Sequence, residues 1–176
     1  HPLPFHAVNL LIPLGNAILL WRLALRLPLQ SAWRHGAWLG AALWAIHPVQ
    51  VETVAWVAEQ KNLFSTLFAF AAMMAYLRFD AAPHGRKARR WYAAGLLCYV
   101  LGLLGKTVVV TTPAILLIIL WWRSGTITRR DLKRLAPWFL AALIMIPMAI
   151  WSERSQVGTH GAAFDFSWPQ RFLMAS

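Results

Sequence analysis

Five side chains in this sequence have the types and positions to do chemistry: His47, Glu52, Glu59, Lys61 and Lys106. The first four lie within HPVQVETVAWVAEQKN, residues 47–62, a polar interruption between two strongly apolar runs. On a helix begun near Val49, positions 52, 56 and 59 share one face, while Val51, Val54, Ala55 and Ala58 share another. The acids therefore sit on a wet side. Glu52 and Glu59 are two turns apart, about 10 Å along the axis, too far to share a proton. One of them could still be a general base or orient a bound sugar. Glu52 is the sharper candidate because it lies nearer the His47-Pro48 break. Glu59 reads more simply as an acid shown to water. His47 could be an acid/base or a metal ligand, but no second His or Cys stands near it at ligand spacing. HExxH, CxxC, GxSxG and GxxxxGK[ST] are all absent, so no metal site and no cofactor are expected.

Lys106 stands between Gly105 and Thr107, with Thr111 and Thr112 just beyond. An ammonium among hydroxyls and helix N-terminal amides suits a phosphate. A lipid-linked phosphate in the outer leaflet would lie at that depth. Lys61 and Lys106 each end an apolar run, where snorkelling is the plain alternative.

The elements that must hold these groups are membrane helices. The chain is 59% hydrophobic and 13% charged, and its apolar residues come in blocks of bilayer length, unlike an ordinary soluble domain. Eleven Trp residues suit interfacial belts. The expected fold is all-α: a polytopic membrane helix bundle with spans at about 5–27, 32–46, 63–79, 91–104, 108–122 and 137–151, and an external amphipathic helix at about 49–60. In the first span His6, Asn9, Pro13 and Asn16 form one polar stripe, expected to face other helices and hydrogen-bond across them. Gly36 and Gly40 have the spacing of close helix packing. The single Cys98 offers no disulfide partner within this chain, and there is no repeat or low-complexity tract.

Charge orients the bundle. The net charge is +11 with 17 basic residues; thirteen of them fall in the loops after spans one, three and five, against only Asp80 and Asp131. The remaining loops hold Lys61, Lys106, Arg154 and Arg171 against Glu52, Glu59, Glu153 and Asp165. By the positive-inside rule the first set is cytoplasmic, so residues 47–62, 105–107 and the tail share the external face. Basic inner loops account for the charge without nucleic acid. The spans carry no acid, which counts against ion-coupled transport. The chain opens on HPLPF without Met, shows no signal peptide and stops soon after a turn-like WPQ. It is expected to be a piece of a longer protein, truncated at both ends.

Three stretches resemble a known family. HPVQVETVAWVAEQKNLFSTLFAF is similar to the HPxxVExVAWxxERKxxLS signature in bacterial relatives of the transmembrane and tetratricopeptide-repeat O-mannosyltransferases. PFHAVNLLIPLGNAILLW resembles that family's FHxxNLxxHxxNAxLL segment, and LGLLGKTVVVTTPAILLIILWW its LxxxSKxxxVTLPxxLLLxDWW segment. Together they cover about residues 4–122 in the family's order. The resemblance implies a GT-C-type membrane glycosyltransferase. It would carry a sugar, typically mannose, from a polyprenyl-phosphate carrier to a protein or other acceptor hydroxyl on the external face of the bacterial inner membrane. By the same motifs His47, Glu52 and Lys61 would lie in the external loop beside the active site, with Lys106 facing the carrier phosphate. The family's principal acid is expected upstream of His1, so the piece by itself is expected to be inactive, and a repeat region is expected downstream. The sequence departs from the pattern at Glu59-Gln60-Lys61 for ERK, Gly105 for Ser, Pro13 for His and Leu120 for Asp. A non-catalytic membrane scaffold or lipid-carrier transport module is the alternative.

Overall fold

The computed structural model of the chain describes residues 3–28, 31–48 and 60–157. Every element among them is helical: α1 (Leu3–Ala24), α2 (Ser31–Ile46), α3 (Gln60–Ala81), α4 (Arg86–Gly105), a 3₁₀ turn (Thr107–Thr111), α5 (Thr112–Ser124) and α6 (Arg129–Val157). Three stretches, Gln60–Ala81, Thr107–Ser124 and Arg129–Trp151, are long and apolar enough to cross a membrane. In α1 the apolar part is shorter, Asn9–Ala24. The membrane-helix reading therefore holds, with three full-length spans by length and composition where six spans were expected. The expected external helix at 49–60 lies outside the described residues, apart from Gln60, which begins α3.

The helix ends follow from local chemistry. Gly125 ends α5 in the left-handed region (φ 76°) and its N–H donates to the Trp121 carbonyl at 2.7 Å, the usual use of glycine after a helix. Pro113 occupies the first turn of α5, where its missing N–H costs nothing. Thr128 and Asp131 form a reciprocal cap at the start of α6. The Asp131 carboxylate accepts from the Thr128 N–H and hydroxyl at 3.0 and 2.6 Å, and the Asp131 N–H donates back to the hydroxyl at 3.2 Å.

The centre of the molecule is the antiparallel α3–α4 hairpin. Small residues on α4 let the two backbones approach: a Cβ at Gly95 would meet the Ala72 carbonyl at 3.3 Å, and one at Gly102 the Ser65 carbonyl at 3.4 Å and Val109 at 3.1 Å. In lipid, where apolar burial drives little association, such close packing holds helices together. Trp138 of α6 closes the hairpin from the side. Its fully buried ring stacks on Tyr99 at 5.0 Å and meets Tyr76 edge-on at 5.5 Å. Leu77, Leu103, Leu116, Leu120 and Leu135 complete the core.

Beyond that core the helices turn apolar side chains outward. Leu10, Leu11 and Leu14 on α1, Ile118 on α5, and Leu140, Leu143 and Ile144 on α6 are all exposed. Only 17% of the α6 span is buried. Water does not tolerate so wide an apolar surface, whereas acyl chains do.

Candidate functional site

Two of the five candidate residues lie at the same end of the hairpin. Lys61 lies in the first turn of α3, and Lys106 follows directly on the last residue of α4. At Gly105 the two ends touch: a Cβ there would collide with the Ser65 hydroxyl and lie 3.5 Å from the Lys61 carbonyl. That hydroxyl is itself fixed, donating to the Lys61 carbonyl at 2.6 Å. The hairpin thus presents the 61 and 106 backbones side by side because position 105 carries no side chain. Both lysines are exposed, and neither has an acidic partner among the described residues. Lys61 was expected in the loop before the third span. It sits in the helix because α3 begins at Gln60 rather than near Leu63.

Lys106 adopts an extended conformation (φ −155°, ψ 132°) between α4 and the 3₁₀ turn, its N–H donating to the Gly102 carbonyl at 3.1 Å. Its carbonyl accepts from the Val109 N–H at 3.3 Å. The neighbouring hydroxyls are not all turned toward it as the sequence suggested. Thr111 donates to the Val108 carbonyl at 2.9 Å, and Thr112 is buried. Thr107 is exposed beside the lysine.

α1 braces this end. Asn9 and Asn16, two turns apart, are 2% and 0% exposed despite standing in an apolar helix. The Asn16 amide donates to the Leu63 carbonyl at 3.1 Å, and Gln60 donates to the Asn9 side-chain oxygen at 2.6 Å. The polar stripe of α1 therefore faces α3, as expected for Asn9 and Asn16, and grips its first turn. Gln60 had no place among the sequence candidates, because an amide at a helix start looks like any exposed polar residue. His47 follows α2, exposed, with its N–H directed to the Trp44 carbonyl at 3.4 Å. Trp44 in turn meets Phe70 of α3 with ring centroids 5.9 Å apart. Glu52 and Glu59 lie outside the described residues.

A second polar cluster occupies the opposite end. Asp80 pairs with Arg123 at 3.2 Å and Arg134 at 3.3 Å, tying the ends of α3, α5 and α6 together. Arg134 also lies over the Phe79 ring at 4.8 Å, and Arg78 over Trp91 at 4.6 Å. Arg26, from the turn after α1, shares a small cavity with Arg123, Leu77 and Ala81. The three basic loops thus meet at one end, away from Lys61 and Lys106. Nothing in the sequence singled out Asp80, because its partners lie more than forty positions further on.

Comparison with protein-family models, curated proteins and solved structures gives no match for this chain.

Proposed function

We propose that this chain is the membrane part of a GT-C-type glycosyltransferase that moves a sugar from a polyprenyl-phosphate carrier to an acceptor hydroxyl. The observation that carries the reading is where the three motif-bearing segments meet. Asn9 and Asn16 of the first motif bond Gln60 and the Leu63 carbonyl of the second, and Gly105 of the third abuts Lys61 and Ser65. Segments that the resemblance links only by order along the chain converge on one end of one hairpin. Two exposed ammonium groups stand there without a described acidic counter-ion, which suits a phosphate monoester leaving group.

In the reaction the acceptor oxygen attacks the anomeric carbon as the bond to the carrier phosphate oxygen breaks. The electron pair leaves with the phosphate, and the hydroxyl proton goes to a carboxylate base, expected upstream of His1. Lys106, with Lys61, would stabilise the charge growing on the phosphate, and such stabilisation is worth about a hundredfold or more in rate. Glu52 would orient the acceptor or donor sugar, with His47 and Glu59 along the same loop. The six-span GT-C arrangement and the external placement of this end belong to the same proposal.

The test is sugar transfer from polyprenyl-phosphate mannose, in membranes that carry the full-length protein, with Lys106→Ala and Glu52→Gln. A drop of about a hundredfold in either variant supports the assignment. Unchanged rates in both remove it.

A further inference from the structure

The end opposite the two lysines contains a built cavity. Residues of α3, the following turn, α4 and α6 line a half-open cavity of about 430 Å³, with Asp80, His84, Arg89, Arg130 and Arg134 at its polar side and Phe79 and Ala88 as apolar walls. A second space of about 390 Å³ shares Asp80, Arg130 and Arg134 and adds Arg123.

The charges in the first cavity do not balance. Its one acid, Asp80, is already divided between Arg123 and Arg134. Arg89 and Arg130 add positive charge that no acid lining the cavity neutralises. Two of the arginines have partners at the cavity. Arg130 Nη2 lies 2.8 Å from His84 Nε2. Arg134 is fixed at both ends, by Phe79 under its guanidinium and by the Tyr92 hydroxyl donating to its carbonyl at 2.6 Å.

The start of α4 adds to the field. Gly85 precedes it with no side-chain cap, and the first turn carries Arg86, Lys87, Arg89 and Arg90 with no acid. Cations there oppose the helix dipole, and an anion in the adjoining cavity relieves both. Depth is marked by tryptophan. Trp121 and Trp122 are exposed in the last turn of α5 and Trp91 stands in the second turn of α4 at the same end, as side chains at headgroup level do. Basic inner loops are routine, but routine loops point their cations into solvent. Here α4 and α6 bring Arg89, Arg130 and Arg134 together around one half-open cavity.

We propose that this cavity binds the phosphate of an anionic membrane lipid, in the leaflet at that end of the bundle. The proposal rests on the membrane reading alone, not on glycosyl transfer or on which side that leaflet faces.

The full chain is purified in detergent and offered phosphatidylglycerol, phosphatidylcholine, or glycerol phosphate as the headgroup without tails. Retained lipid is counted by native mass spectrometry and stability followed by thermal unfolding. Phosphatidylglycerol is expected to be retained and to raise the unfolding temperature. Removal of cavity charge by Arg89→Gln or Arg130→Gln should weaken retention about fivefold per arginine. The control pair Arg129→Gln and Lys133→Gln removes equal charge from the start of α6 outside the cavity and should leave retention intact. Equal loss in both pairs would reduce the effect to surface charge and overturn the site. An equal rise in unfolding temperature with glycerol phosphate would overturn the lipid as its ligand.

Discussion

At Gly105 one hydrogen atom decides whether two chain ends can lie together. The space a side chain would need there is already taken from across the hairpin. The Ser65 hydroxyl, bonded to the Lys61 carbonyl at 2.6 Å, occupies the space a Cβ would take. Gly105→Ala is therefore expected to lower stability by about 1–3 kcal/mol, the usual cost of forced overpacking. Ser65→Ala removes the obstructing oxygen and leaves the Lys61 carbonyl at 3.5 Å and the Ser65 Cβ at 3.6 Å, ordinary contact distances, so the double variant should regain most of the loss. A double-mutant cycle in thermal unfolding measures this directly. A Gly105→Ala penalty that is the same with and without the Ser65 hydroxyl would place the conflict elsewhere. The glycine itself could be read in the sequence, but the contact that requires it could not, because Ser65 and Gly105 meet only when α3 and α4 pair.

Among the elements, α1 shows how much a pattern can foretell. Polar residues at helical spacing in an apolar run must face another helix, since lipid offers their amides no partner. Asn9 and Asn16 do so, and their buried contacts with Gln60 and the Leu63 carbonyl tie α1 to the start of α3. The partner helix and the gripped turn were not legible, because many polar groups could have answered. The Asn9–Gln60 pair should show a coupling of about 0.6–1.7 kcal/mol when each is changed to Ala singly and together, the range found for hydrogen bonds between membrane helices. Unfolding in detergent provides the readout, and a coupling near zero would mean that the bond contributes only orientation. Span boundaries were harder to read. α3 reaches back to Gln60 and α6 begins at Arg129, well before the expected 137. Helices continue through polar residues when a cap such as Thr128–Asp131 and tertiary packing support them, so hydropathy alone sets such limits too tightly.

The whole molecule has two chemically different ends. Lys61 and Lys106 mark one, while the turns 82–85 and 125–128 mark the other, with Arg26 alongside Arg123. If the basic end is cytoplasmic, single cysteines read the arrangement directly in a Cys98→Ala background. A cysteine at position 106 should react with an impermeant reagent added outside the cell, and one at position 84 only after permeabilisation. Labelling of both from the same side would break the two-ended bundle. Labelling in the reverse order would keep the bundle and reverse its orientation, and with it the external placement of the proposed transfer site.

The sequence by itself determined the solvent. Long apolar blocks, with most of the cations gathered between them, leave a bilayer as the medium in which such helices are stable. It also determined which faces of α1 must be covered, since helical spacing and the cost of an unpaired amide are local properties. Only the tertiary structure decided which residues meet. The contact of Gly105 with Ser65, the grip of Asn9 on Gln60 and the sharing of Asp80 by Arg123 and Arg134 all join positions forty or more residues apart. No periodicity encodes such pairs. They arise when small residues let α3 and α4 approach and Trp138 fills the space that remains.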